Sequence, residues 1–179
     1  MKQCQQTNTQ SVYEHGISLC NHIFELINYL ETSIIDINWK LPFWMIEYQK
    51  QILSALLSKD IIKEYTTFHD CGKGYCLIVD SAGKRHFPNH AEKSYETWLS
   101  VGGNPQAAKL MKMDMMIHTM KADDIDEFIT HPEAITLLLA SLSEIHANNK
   151  ANNGDLNSVN FKIKWKHINK FGKIPWNRL

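Results

Sequence analysis

The four cysteines, at positions 4, 20, 71 and 76, include no C-x-x-C pair. That spacing favours neither a zinc knuckle nor a disulfide framework, so a reducing compartment suits the thiols best. No apolar run approaches the roughly 20 residues that a membrane span needs; AITLLLA at 134–140 is typical of the runs present. The first ten residues, MKQCQQTNTQ, lack the apolar core of a secretory signal. The expectation is a cytoplasmic chain with no membrane partner. Net charge is missing too, because 19 Lys/Arg balance 19 Asp/Glu. The balance conceals an asymmetry. Residues 1–150 carry 13 basic and 18 acidic side chains, a net of −5, whereas residues 151–179 carry 6 and 1, a net of +5. Hydrophobic residues make up 44% and charged residues 21% of the 179, which fits one globular domain rather than a disordered chain.

What is present is mostly helical periodicity. Val12, Leu19, Ile23, Leu26 and Leu30 recur at helical spacing, so Ser11 to about Glu31 reads as an amphipathic helix with His15 and His22 on its apolar stripe. Pro42 can open a helix over about 43–57. Further helices are expected over about 59–68, 90–100, 105–120 and 131–147, with an acidic helical turn at 123–128 and a final helix over 159–171. Cys76–Val79 and Arg85–Phe87 flank DSAGK and read as a small β-hairpin. The expected fold class is mainly all-α, a helical bundle with a hairpin inserted at about 75–87. A single domain is expected over 1–179, with its core at about 11–148 and a basic C-terminal segment at 157–179.

The chain holds nine histidines, and several of them stand near carboxylates in the sequence. His15 lies on a buried stripe. His69 and Asp70 are adjacent at a helix end, in FHDCGKG. His90 opens a helix. His118 follows Asp114 by four residues, which places both on one helix face. Glu144 and His146 close another helix. Imidazole and carboxylate donors without thiolates suit Mn, Fe, Mg, Co, Ni or Zn in a hydrolytic site better than a structural zinc. Each residue also has an ordinary structural reading. A histidine on an apolar stripe can be a hydrogen-bonded core residue, and Asp114 and His118 can be a local ion pair.

The series His15, FHDCGK, HFPNHAEKSYETWLSVGG and MKMDMMIHTMKADD resembles the HD-domain superfamily of metal-dependent phosphohydrolases over about residues 11 to 148. The resemblance implies an HD-type helical bundle with two divalent metals held by His15, His69, Asp70, His90, His118 and a late carboxylate. The family's late ligand is an aspartate. Glu144 is the nearest match here, and Asp114 is the alternative. His22 is then a residue that supports the ligands or one that serves packing. Asp70 would bridge the metals and Lys73 would contact phosphate. Lys84 and Arg85 on the hairpin are candidate substrate-binding cations, and Glu92, two residues after His90, is a candidate to orient a ligand or relay a proton.

The expected function is hydrolysis of a phosphate ester or anhydride, in a nucleotide or nucleic-acid-related substrate, by metal-activated water. Two alternatives stand beside it. One is a di-iron oxygenase of the same fold, and the other is a non-catalytic nucleotide- or nucleic-acid-binding protein with a relic site. The basic segment FKIKWKHINKFGK interleaves Lys with Phe161, Trp165 and Phe171. Exposed aromatics there would stack on bases; buried ones would make it an ordinary lysine-coated helix.

Overall fold

The computed structural model describes residues 1–7, 9–34, 39–152 and 154–173. It is mainly helical with one two-stranded hairpin, as the sequence periodicity leads one to expect. The helices are α1 (Val12–Thr32), α2 (Phe43–Glu47), α3 (Gln49–Ala55), α4 (Lys59–Phe68), α5 (Lys73–Cys76), α6 (His90–Ser100), α7 (Pro105–Met113), α8 (Met116–Thr119), α9 (Ile125–Phe128), α10 (Ala134–Ala151) and α11 (Val159–Gly172). A 3₁₀ turn, Ala122–Asp124, precedes α9. Strands β1 (Ile78–Val79) and β2 (Arg85–His86) are antiparallel, with Ile78 opposite His86 and Val79 opposite Arg85. Among the described residues no helix is long and apolar enough to cross a membrane.

Two expected helices are each broken in two. The segment 43–57 divides at Tyr48, whose φ of −111° and ψ of 27° leave the helical region. The segment 105–120 divides at Asp114, which caps α7. Asp114 and His118 therefore do not share one continuous helix. Helix α10 begins three residues later than expected and runs to Ala151.

The chain forms two compact units. One comprises Met1–Cys20 and Ser58–Met115; the other comprises Asn21–Leu57 and Met116–Leu179. In the first unit, α1 starts on a capping box. The Ser11 backbone N–H and hydroxyl both donate to Glu14 Oε2 at 2.8 Å, and the Ser11 hydroxyl accepts from Glu14 N–H. Ser58 caps α4, and Asn104 caps α7 with Pro105 at its first position. The hairpin turn is organised by Asp80, which accepts from the N–H groups of Ala82 and Lys84 at 2.9 Å each. Gly83 supplies the positive φ of 78° that this turn requires.

In the second unit, α10 is buried along nearly its whole length from Ala134 to Ala147. Helix α11 packs on it through Phe161, Ile168 and Phe171. Gly172 is needed there, because a Cβ would lie 2.3 Å from the Trp44 ring. Phe161 and Phe171 are both 4% exposed, so neither can stack on a base. Trp165 is half-buried. Its indole N–H donates to the Lys40 carbonyl at 2.7 Å, and the Lys40 ammonium covers its ring at 4.5 Å. Ile163 does face solvent. Residues 174–179 of the basic segment lie outside the described residues.

Candidate metal centre

In the first unit, α4 ends at Phe68 and leaves His69 and Asp70 on a tight turn that leads into α5. Both side chains are buried, at 2% and 1% exposure, and so is His15 of α1 at 1%. One carboxylate oxygen is the focus. Asp70 Oδ2 lies 3.2 Å from His69 Nε2, 3.8 Å from His15 Nε2 and 2.6 Å from Lys73 Nζ. The other oxygen, Oδ1, faces His90 Nε2 at 3.8 Å. His15, His69 and Asp70 each offer a ligand atom within 4.8 Å of the others.

The backbone fixes the chemistry of two of these rings. His69 Nδ1 is 2.9 Å from the Thr66 carbonyl, and His90 Nδ1 is 2.9 Å from the Phe87 carbonyl. A carbonyl can only accept, so the proton sits on Nδ1 in both cases. In the neutral ring, Nε2 then presents a lone pair toward Asp70. A lone pair 3.2 Å from an ionised carboxylate needs a cation between them. Either the His69 ring carries a second proton, or a metal takes that proton's place. Donation of the remote ring N–H to a backbone carbonyl is the arrangement that orients metal-binding histidines. The residues therefore fit a divalent ion.

The electrostatics agree. Burial acts to raise the Asp70 pKa, but His69, Lys73 and His15 outweigh it and hold the carboxyl well below the usual range. A fully buried carboxylate that stays ionised requires compensating positive charge.

Two glycines allow the convergence, and sequence reasoning passes over both roles. A Cβ on Gly16 would sit 2.1 Å from the Thr67 carbonyl oxygen, so α1 reaches α4 closely only with glycine next to His15. A Cβ on Gly72 would sit 2.4 Å from the Ser94 backbone nitrogen of α6. The Gly72 N–H donates to the Ser94 hydroxyl at 3.0 Å, and Cys71 Sγ donates to the Ser94 carbonyl at 3.5 Å. These contacts pin the His-Asp turn to the helix that His90 opens. The signal for Gly16 was its place inside a strongly helical stretch, where glycine costs about 1 kcal/mol relative to alanine. Thr66 and Phe87 act through backbone carbonyls and leave no mark in the sequence.

Lys73, the expected phosphate contact, is buried at 7% exposure. It donates to Asp70 and, at 3.0 Å, to Gln6 Oε1. Glu92 is exposed and pairs with Lys112 at 3.1 Å. Lys84 is exposed at the hairpin turn and Arg85 is half-buried in β2. Asp114 accepts the Tyr65 hydroxyl at 2.5 Å, and the Tyr65 ring stands edge-on to His69 at 6.2 Å. His118 and Glu144 belong to the second unit, where they face each other at 3.3 Å. His22 is buried there too, with its ring 5.9 Å from that of Trp39. No protein-family model, curated protein or solved structure matches this chain.

Proposed function

We propose that the chain is a metal-dependent phosphohydrolase of the HD type, acting on a phosphate ester or anhydride of a nucleotide or nucleic-acid-related substrate. One observation carries this reading. His69 and His90 each give Nδ1–H to a backbone carbonyl and turn Nε2 toward opposite oxygens of one buried carboxylate, with His15 beside it. The order of these residues along the chain supports it through its resemblance to the HD superfamily.

His15, His69 and Asp70, with His90 beside them, would hold the divalent metal. The chemistry gained on metal binding is a water of lowered pKa and withdrawal of charge from a phosphate oxygen. The chain's own residues do the rest. Asp70 supplies the fixed negative charge, and the Thr66 and Phe87 carbonyls hold the imidazoles in register. Arg85 and Lys84, on the adjacent hairpin, offer cations to the remaining phosphate oxygens.

Metal analysis of the purified chain and a screen of nucleotides and phosphodiesters with Mn²⁺ form the test. Hydrolysis that disappears in His69→Ala and Asp70→Ala supports the reading. A metal-loaded wild type that cleaves no phosphate ester sinks it. Iron content with an oxygen-dependent conversion instead would move the assignment to the oxygenase.

A further inference from the structure

Lys73 is an unusual neighbour for a metal centre. Its ammonium is buried and lies 2.6 Å from Asp70 Oδ2, nearer than either histidine on that oxygen. It also has two partners away from the carboxylate. Gln6 Oε1 accepts from it at 3.0 Å, and the Phe87 ring lies 5.2 Å from Nζ. Gln6 is carried by an N-terminal hook, in which Gln6 and Thr7 N–H donate to the Gln10 carbonyl and Gln5 bridges Ser11.

We propose that Lys73 is the site's resident counter-cation, and that a divalent metal binds by displacing its ammonium from Asp70 Oδ2 while Gln6 and Phe87 retain it. The inference rests on the metal-centre reading above and adds an internal competitor to it. The physical grounds are direct. An ionised carboxylate at 1% exposure needs positive charge beside it, and the nearest is Lys73. A divalent ion coordinates a carboxylate oxygen at about 2.0–2.2 Å. An ammonium within hydrogen-bonding distance of that same oxygen would repel it strongly in a buried site. The two cations therefore compete for Oδ2. Gln6 offers a neutral carbonyl oxygen and Phe87 the negative face of a ring, both able to keep a displaced ammonium. Lys73 thus sets the metal affinity as well as the integrity of the metal-free site. Once displaced, it remains beside the centre, available to a substrate oxygen.

The experiment is calorimetric titration of the full chain, stripped with chelator, using MnCl₂ alone. Lys73→Met removes the charge and keeps the aliphatic stem. Lys73→Gln also keeps an N–H donor toward Asp70, and serves if the methionine variant does not fold without metal. The expected result is Mn²⁺ binding at least roughly tenfold tighter than wild type in either variant, because the internal competitor is gone. A structural or substrate-binding role for Lys73 predicts no such gain. Unchanged or weaker Mn²⁺ binding, beside measurable wild-type binding, overturns the displacement and leaves the metal reading standing. Failure of wild type and both variants to bind Mn²⁺ at millimolar concentration overturns the metal reading and this inference with it. Micromolar binding by the variants alone supports the inference in its strongest form.

Discussion

Cys71 follows the buried carboxylate directly, yet its thiol is turned away from the site toward the Ser94 carbonyl. Burial pushes its pKa up to about 11. At pH 8 only about one part in a thousand is thiolate, against roughly a quarter for an ordinary cysteine. Iodoacetamide at pH 8 should therefore label Cys71 at least 100-fold more slowly in the native chain than in the urea-unfolded chain, read by peptide mass spectrometry. Comparable rates would show that Cys71 does not stay buried in solution. His146 offers a second test at this scale. Burial, with His22 nearby, lowers its pKa from 6.5 to about 4, against an opposing hydrogen bond to the Lys40 backbone. Its ring is stacked on Trp39 at 4.2 Å. The folded state holds this ring neutral while the unfolded chain protonates it. Its contribution is complete above pH 6.5 and is lost as the pH falls toward 4, by up to on the order of 3 kcal/mol. Urea unfolding of wild type and His146→Phe at pH 7 and pH 4.5 checks the sign. Wild type should lose more stability than the variant over that interval, and parallel losses would refute the assignment.

At the scale of elements, helix identity was legible because apolar stripes such as Val12, Leu19, Ile23, Leu26 and Leu30 are long and regular. The breaks were not legible, since no glycine or proline marks either. Asp114, where α7 ends, accepts the Tyr65 hydroxyl of α4, a partner 49 residues away that local pattern cannot reveal. The donor types of the candidate centre could be read from the sequence, but the tautomers could not, because they are set by two backbone carbonyls. Close approach between elements is likewise tertiary information, and it yields a prediction. Gly72→Ala would place a Cβ 2.4 Å from backbone of α6, which cannot move as a flexible side chain can. Helix α6 must retreat and carry His90 with it. The expected cost is at the upper end of the roughly 1–3 kcal/mol seen for overpacking, together with weaker Mn²⁺ binding. Gly16→Ala should act alike through α1 and His15, with its Cβ 2.1 Å from the Thr67 carbonyl oxygen. Thermal unfolding and metal titration of both variants are the measurements; unaltered binding in both would mean that helix spacing does not govern the centre.

For the whole molecule, a metal that binds the native chain and not the unfolded one adds stability by mass action. At a concentration one hundred times Kd the gain is about 2.7 kcal/mol. For a chain of this size, 1 kcal/mol corresponds to roughly 2–4 °C in Tm, so Mn²⁺ should raise Tm by roughly 5–10 °C. The gain should begin where the proposed ligands are. His15, His69, Asp70 and His90 come from α1, the turn after α4, and α6, all within the unit formed by Met1–Cys20 and Ser58–Met115. Amide exchange in α4, α5 and α6 should slow when Mn²⁺ is added. Asp70→Asn keeps the side chain's shape but removes the charge on which the histidines and Lys73 converge. It should abolish both the Tm shift and the added protection, whatever it does to the metal-free chain. An equal metal-dependent shift in Asp70→Asn would place the stabilising ion elsewhere and remove Asp70 from the centre.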